Sequence, residues 1–141
     1  MSERPPKMIP DPDGLNAEFY QHLADGNLCL RHCDACGVIH HPPKYLCAAC
    51  GSEDVHWTPI SGKGRIFSWT ITHRPIDPGW APDLPWATVV VEMDEGPRLV
   101  GAWRGASNDA LRLDLPVRAT LENESESFAL IYFSPDAEAR A

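Results

Sequence analysis

The sequence is short of basic residues, and this shortage argues against a protein that grips nucleic acid along its phosphate backbone. Its 141 residues contain 12 Lys and Arg but 20 Asp and Glu, which gives a formal net charge of −8. The acidic excess is divided evenly, with −4 in residues 1–57 and −4 in residues 58–141. A polyanion requires the opposite balance, in the form of a basic stripe or funnel. Binding of single-stranded nucleic acid is therefore kept only as the alternative function.

Long apolar segments are also missing. The longest apolar run, Trp86 to Val91, contains a Thr and is far shorter than the ~20 residues that span a bilayer. The first six residues, Met1 to Pro6, include no apolar stretch of the kind found in signal peptides. From these absences we expect a cytoplasmic protein with no membrane partner, in a compartment where thiols stay reduced.

Common catalytic motifs are a third absence. The sequence contains no Gly-x-Ser-x-Gly, no His-Glu-x-x-His and no complete phosphate-binding loop. Gly62 and Gly64 give only a weak phosphate-loop signal, because a strand pattern rather than a helix pattern follows them. Asp94 and Glu95 are adjacent carboxylates, but they fall in a turn, where solvated side chains are expected. The sequence thus predicts a chain without catalytic residues.

Cysteine, in contrast, is present in an ordered pattern. Two Cys-x-x-Cys-Gly motifs, residues 33–37 and 47–51, have ten residues between their inner cysteines. Two intervening residues let both sulfurs of a pair point into one turn, and the Gly lets backbone amides face them. Four thiolates are the tetrahedral set that structural zinc prefers, and they leave no open position for a catalytic water. We expect one Zn²⁺ with four ligands: Cys33, Cys36, Cys47 and Cys50.

Other interpretations of the cysteines stay open at this point. Four thiolates also suit iron, and two disulfides are a second alternative. A thioredoxin-like redox pair is disfavoured, because no strand-to-helix βαβ context surrounds the motif. The fifth cysteine, Cys29, is expected to be a small buried apolar residue. Four histidines near the motif are expected on the surface or outside the coordination shell: His32, His40, His41 and His56.

The chain divides into successive segments. We expect an extended arm over 1–13, an N-terminal helix over 14–27, a zinc ribbon over 28–58, an OB-fold barrel over 59–135 and a tail over 136–141. The arm carries four prolines and is predicted to be disordered alone or laid on a partner. Apolar residues recur at helical spacing in the next segment. Among them, Phe19 and Tyr20 suggest that this short helix docks on the rest of the chain or on another subunit.

The second half of the sequence reads as a small β-barrel. Five strands are predicted, over residues 66–72, 86–93, 98–103, 117–121 and 128–133. A single helical turn, capped by Ser107, is predicted between the third and fourth strands. This order is typical of a five-stranded OB barrel, so the predicted fold class is mainly β. Three strand aromatics are expected in the core, with base stacking as the alternative: Phe67, Trp69 and Trp103.

The connection from His73 to Trp86 is the loop most suggestive of function. It contains four prolines together with several apolar residues, and long ordered loops in compact domains are often functional. Trp80 on this loop suggests that a protein surface or an apolar ligand is covered. Alternatively, Trp80 folds back and plugs the barrel end. His73 and Arg74 form a polar pair at a strand end that can reach a ligand or simply cap the loop.

Taken together, these segments resemble a known family. The resemblance rests on Cys33-Asp34-Ala35-Cys36-Gly37, Pro42-Pro43, Cys47-Ala48-Ala49-Cys50-Gly51, Ser61-Gly62-Lys63-Gly64, Thr72-His73-Arg74-Pro75 and Asp94-Glu95-Gly96-Pro97. The chain resembles the acyl-CoA-associated OB-fold proteins with an N-terminal rubredoxin-like zinc ribbon, long catalogued as domain of unknown function thirty-five. One departure is Leu115, where the family often has Gly before the Pro.

The resemblance implies a non-catalytic partner of a thiolase-like enzyme, such as a thiolase, an aldolase or an acyltransferase that processes acyl-CoA, steroid side chains included. It implies that the ribbon and the helix, with Phe19 and Tyr20, dock on that partner. The barrel would help to enclose acyl-CoA at a shared site. The candidate ligand or partner contacts there are Lys63, His73, Arg74 and Trp80.

Overall fold

The computed structural model describes residues 4–137, which form a short helix, a three-stranded ribbon and a five-stranded closed barrel. This architecture confirms the predicted fold class. Residues 1–3 of the expected arm and 138–141 of the expected tail lie outside the described part of the chain. Within residues 4–137, no helix has the length and apolar character needed to cross a membrane.

Helix α1, Gly14–Ala24, is short and is ended by the glycine that follows it. Gly26 has a φ of +88°, and its amide donates to the Leu23 carbonyl oxygen at 3.0 Å. The amide of Asn27 donates to the His22 carbonyl oxygen at 2.9 Å. This pair of bonds is a Schellman cap, which satisfies carbonyls that the helix leaves free. The face that the helix buries consists of Leu15, Phe19 and Leu23.

Side-chain hydrogen bonds tie α1 to both of the other units. Trp57 Nε1 of the ribbon donates to Glu18 Oε1 at 3.1 Å. Asn123 Nδ2 of the barrel donates to the carbonyl oxygen of Ala24, the last helical residue, at 2.8 Å. The helix therefore docks on its own chain, between ribbon and barrel.

The ribbon is an antiparallel sheet with the strand order β2-β1-β3. Its strands are β1 (Cys29–Cys33), β2 (Ile39–His40) and β3 (Val55–Pro59). The long pairing of β1 with β3 begins at Cys29 opposite Pro59 and ends at Cys33 opposite Val55. This register closes the segment that holds both cysteine motifs into one hairpin-like unit.

The barrel has the strand order β4-β5-β6-β8-β7, and β7 pairs back onto β4. The strands are β4 (Lys63–Thr72), β5 (Trp86–Met93), β6 (Arg98–Trp103), β7 (Pro116–Asn123) and β8 (Ala129–Pro135). Every pairing is antiparallel except β6 with β8. The predicted helical turn is a 3₁₀ turn at Asn108–Ala110, and the Ser107 side chain accepts from the Asp109 amide.

Phe133 fills the barrel interior and is fully buried. The neighbouring strand β6 makes room for its ring with Gly101, where a Cβ atom would lie 2.7 Å from Phe133 Cδ2. Gly64 serves the same purpose between β4 and β5, because a Cβ atom there would lie 2.5 Å from the Glu92 carbonyl oxygen. The absence of a side chain at both positions permits the close strand packing of a small barrel.

The prediction that Phe67 belongs to the core is wrong. The register of β4 with β5 shifts between Ile66 and Ser68, so that Phe67 is the extra residue of a β-bulge. A bulge moves the alternation of side chains by one position. Phe67 is consequently 43% exposed, and the Arg98 guanidinium lies 3.6 Å from its ring centroid. Trp103 is buried as predicted.

The arm lies on the chain itself along the part that the structure describes. It contacts a 3₁₀ segment, Pro78–Asp83, in the connection between β4 and β5. The Met8 amide donates to Asp77 Oδ2 at 2.8 Å, and Arg4 forms an ion pair with Asp83. The sequence predicts an arm that is disordered alone or laid on a partner; in this structure its residues 4–8 contact the same chain.

Candidate functional site

The first cysteine motif forms a tight turn after β1. The Gly37 amide donates to the Cys33 carbonyl oxygen at 2.7 Å, and the Cys33 amide donates to the Val38 carbonyl oxygen at 2.9 Å. Gly37 has a φ of +81°, a left-handed conformation that strains residues with a Cβ atom. This turn directs Cys33 and Cys36 to one side.

The second motif repeats the first with the same bonds. The Gly51 amide donates to the Cys47 carbonyl oxygen at 2.8 Å, and the Cys47 amide donates to the Ser52 carbonyl oxygen at 3.0 Å. Gly51 has a φ of +79°. The two motifs are therefore matched knuckles, as the shared Cys-x-x-Cys-Gly pattern predicts.

The knuckles bring all four sulfurs together, within 4.8 Å of one another. Cys33 Sγ lies 3.6 Å from Cys50 Sγ, and Cys36 Sγ lies 3.6 Å from Cys47 Sγ. Zn–S bonds of ~2.3 Å at a tetrahedral ion place neighbouring sulfurs ~3.8 Å apart, which matches this arrangement. A disulfide needs an S–S distance of ~2.05 Å, and all five cysteines are free. The disulfide alternative is excluded in this structure, and the four residues fit a structural zinc.

The electrostatics of the cluster also favour a metal ion. The amides of Cys50 and Ala49 donate to the Cys47 sulfur and lower its pKa to about 7. At Cys36, the Val38 amide acts in the same direction, but desolvation and the neighbouring sulfurs raise its pKa to about 12. The thiols of Cys36 and Cys47 thus do not ionise together near neutral pH. A bound cation removes this conflict, because a coordinating thiol is deprotonated outright.

The remaining thiol and the histidines take different positions. Cys29 is buried as predicted, and burial raises the pKa of its thiol, so it is a poor nucleophile. His32 and His56 both contact Asp34 on the ribbon surface. His40 is half-buried on β2. His41 leaves the ribbon and packs on the Phe19 ring, with centroids 5.0 Å apart.

A groove of about 430 Å³ opens beside the ribbon, between α1, the 3₁₀ segment and strands β5, β6 and β8. Three of the predicted contact residues meet in its lining, although they are far apart in the sequence: Phe19, Tyr20 and Trp80. Trp86 and His41 complete the ring-bearing walls. The groove is mainly apolar, and Arg98 contributes a basic group.

Aromatic contacts hold the groove walls in place. Tyr20 packs on Phe128 with ring centroids 4.5 Å apart, which joins α1 to the segment before β8. Trp80 packs on Trp86 with centroids 5.3 Å apart, and Lys7 of the arm lies over the Trp80 ring at 4.7 Å. Trp80 is therefore a half-buried wall residue rather than a freely exposed one.

Lys63, His73 and Arg74 do not line this groove. They are exposed, Lys63 at the start of β4 and His73 with Arg74 just after its end. Sequence reasoning missed Trp86 and His41 as lining residues. The sequence pattern places Trp86 in a strand and His41 near the cysteine motifs. Only the packing of α1 against the barrel shows that both residues line the same groove.

Comparison with known families identifies both the ribbon and the barrel. The profile described as "ChsH2, rubredoxin-like zinc ribbon domain" matches residues 21–56. The profile described as "ChsH2, C-terminal OB-fold domain" matches residues 57–122. The chain belongs to the ChsH2 family. This confirms the resemblance found in the sequence, and the zinc-ribbon description favours zinc over iron.

Two curated relatives of this chain are named as hydratase subunits. It is 31% identical over 102 residues to the "Probable enoyl-CoA hydratase alpha subunit" of Thermomonospora curvata, covering 72% of this chain. It is 34% identical over 110 residues to the "3-oxo-4,17-pregnadiene-20-carboxyl-CoA hydratase alpha subunit" of Mycobacterium tuberculosis, covering 77%. In each case the match spans only 31% of the relative's length.

A solved structure matches this chain over most of both molecules. The protein titled "Ltp2-ChsH2(DUF35) aldolase" superposes with a TM-score of 0.81 at 28% sequence identity. The match covers 90% of this chain and 98% of that chain. Its title pairs a chain of this family with a second component in an aldolase.

Proposed function

We propose that this chain is a non-catalytic accessory subunit of an acyl-CoA-processing enzyme of the thiolase-like or aldolase class. It binds that enzyme as part of a hetero-oligomer and helps to form the acyl-CoA site. The observation that carries the proposal is the aromatic groove, in which Phe19, Tyr20 and Trp80 converge from two distant segments. The names of the relatives, two acyl-CoA hydratase subunits and an aldolase complex, support the same class of chemistry.

The groove suits the acyl part of a CoA thioester better than a polar ligand. Its walls are largely aromatic and aliphatic, and burial of apolar surface stabilises a bound hydrocarbon by ~25 cal/mol per Å². Arg98 at the groove provides a cation for a phosphate or carbonyl oxygen, although it already lies 3.6 Å from Glu92. A bound phosphate or carbonyl oxygen would therefore share Arg98 with Glu92 or replace Glu92 as its partner.

The ribbon supplies rigidity rather than chemistry in this proposal. One Zn²⁺ held by four cysteines has a closed coordination shell, which leaves no position for substrate or water. Zinc fixes the two knuckles, and the ribbon positions α1 through the bond from Trp57 to Glu18. Because α1 carries Phe19 and Tyr20, a folded ribbon is required for an intact groove. Reduced thiolates of this kind persist in the cytoplasm, the compartment we propose.

The first experiment is affinity capture of the tagged chain from its native host, with mass spectrometry of the captured proteins and metal analysis of the bait. We expect a thiolase-like or aldolase protein in near-stoichiometric amount and one zinc per chain. Capture without any acyl-CoA enzyme, at normal zinc content, would refute the accessory-subunit proposal while leaving the metal centre intact.

Binding of acyl-CoA is tested separately on the captured complex. Equilibrium binding of a long-chain acyl-CoA is compared with binding of CoA alone, using the wild type and Trp80→Ala. We expect the substitution to weaken acyl-CoA more than CoA, because Trp80 lines the apolar groove rather than a charged surface. Equal weakening of both, or no change, contradicts a role for this groove in the acyl site.

A further inference from the structure

The outer face of the ribbon carries a second cluster of metal-ligating side chains. His32 lies in β1, and Asp34 is the first residue of the turn that follows this strand, so the two residues flank Cys33. His56 on β3 lies directly opposite His32 in the antiparallel register. Side chains of directly paired residues lie on one face of the sheet. Strand pairing therefore brings the two imidazoles to one face, and the turn after β1 adds the carboxylate of Asp34.

The three side chains are in contact. His32 Nδ1 lies 3.2 Å from Asp34 Oδ1, and His56 Nδ1 lies 3.0 Å from Asp34 Oδ2. The imidazole centroids are 5.2 Å apart. One ligand atom from each residue can be chosen so that all three lie within 4.8 Å of one another. Metal–ligand bonds of ~2.1 Å give ligand-to-ligand distances of ~3.0–3.4 Å, and the two His–Asp distances, each to a different carboxylate oxygen, lie in this range.

We propose that His32, Asp34 and His56 form a second metal site, which binds a first-row divalent cation of the Zn²⁺ type. Two imidazoles and one carboxylate are ligands suited to such ions. The site differs from the four-cysteine centre because it provides only three protein ligands. Its remaining positions are open to water, since all three side chains are solvent-accessible.

The local charge also suits a cation. Within residues 4–137, the charged or titratable side chains in contact with the Asp34 carboxylate are the two histidines, and no Lys or Arg is paired with it. A divalent ion would therefore not have to displace a resident cation. The Asp34 amide donates to the Asp54 carbonyl oxygen at 2.9 Å, which fixes the backbone that presents the carboxylate.

Metal counting on the intact chain tests the proposal. The protein is first loaded with one equivalent of Zn²⁺ to fill the cysteine centre, and further Zn²⁺ is then titrated by calorimetry. We expect a second equivalent to bind. The affinity of this second event should fall about 10-fold or more in His56→Ala and in Asp34→Asn, because each removes a ligand. Asp54→Asn is the matched control, since its carboxylate is exposed nearby but outside the cluster.

A folding control keeps the result interpretable. Co²⁺ bound to four thiolates gives strong sulfur-to-metal charge-transfer absorption, and this signal should be the same in the wild type and all three variants. The proposal is overturned if the wild type binds a single equivalent up to high micromolar Zn²⁺. It is equally overturned if the second event survives unchanged in both ligand variants while the charge-transfer signal is intact. Neither result bears on the proposed partner enzyme.

Discussion

The indole of Trp80 packs against the indole of Trp86, with ring centroids 5.3 Å apart and ring planes inclined by 40°. This contact fastens the connection after β4 to the first residue of β5. Lys7 lies over the same Trp80 ring at 4.7 Å, so the arm, the connection and the barrel meet at one side chain. The groove wall is therefore formed before any ligand binds. A preformed wall loses less conformational entropy on binding than a flexible loop would.

Replacement of Trp80 should weaken partner or ligand binding. In Trp80→Ala we expect the dissociation constant of the complex to rise about 10-fold or more, as is typical for a Trp anchor in an apolar site. Ile76→Ala is the matched control, because Ile76 belongs to the same connection but is 99% exposed. Titration calorimetry or interferometry with the captured enzyme provides the measurement. An equal effect of both substitutions would show that Trp80 is not a specific contact of the binding surface.

Loss of one zinc ligand should unfold the ribbon. Cys33→Ser and Cys50→Ser are each expected to lose the metal and, with it, hydrogen-exchange protection across β1 and β3. The free energy at stake is on the order of 10 kcal/mol of metal binding in isolated zinc fingers. Partner binding should fall with the metal content. Cys29→Ala is the control, since Cys29 lies outside the cluster, and retained zinc in either ligand variant would contradict the assignment.

A methyl group at Gly79 should release the arm. A Cβ atom there would lie 2.5 Å from Lys7 Cα and 2.6 Å from the Pro6 carbonyl oxygen. Overpacking of this kind costs ~1–3 kcal/mol, so tryptic cleavage after Lys7 should become about 10-fold faster in Gly79→Ala. Ala81→Ser in the same 3₁₀ segment should leave the rate unchanged. Unaltered cleavage in Gly79→Ala would show that this contact does not hold the arm.

His41 should titrate below the ordinary range for histidine. Burial of its ring in the groove, followed in importance by the charge of His40, lowers the pKa of His41 from 6.5. The unfolded chain therefore binds more protons just below pH 6.5, so stability is full above this value and falls as the pH drops toward the folded pKa. NMR titration of the imidazole resonances gives the value directly. A His41 pKa at or above 6.5 would contradict the buried position.

Oligonucleotide binding should be absent even at low salt. The net charge of −8 opposes association with a polyanion, and Trp103 is buried rather than available for stacking. Phe67 is exposed, but Arg98 already covers its ring. A labelled single strand, followed by fluorescence anisotropy at low micromolar protein, measures this. A salt-sensitive shift would restore the alternative function.

Local sequence was sufficient for much of the architecture. The repeated Cys-x-x-Cys-Gly motif predicts two matched knuckles, because the spacing and the glycine conformation act within six residues. Strands β5 and β6 have the predicted boundaries, since their apolar and turn residues are contiguous. The exposed position of Phe67 was not predictable in this way, because a β-bulge depends on how two strands pair and not on the residues of one strand.

The sequence by itself determined the ribbon, its two matched cysteine knuckles, the succession of strands along the chain and the family. Only the tertiary structure decided which distant residues share a surface. Phe19 meets Trp80 in one groove, and His56 meets Asp34 on the ribbon, because α1 docks between two units and because β1 pairs with β3. Knuckles and strands arise from short-range backbone preferences. Contacts between residues that are distant in the sequence require long-range packing, which single-residue propensities do not encode.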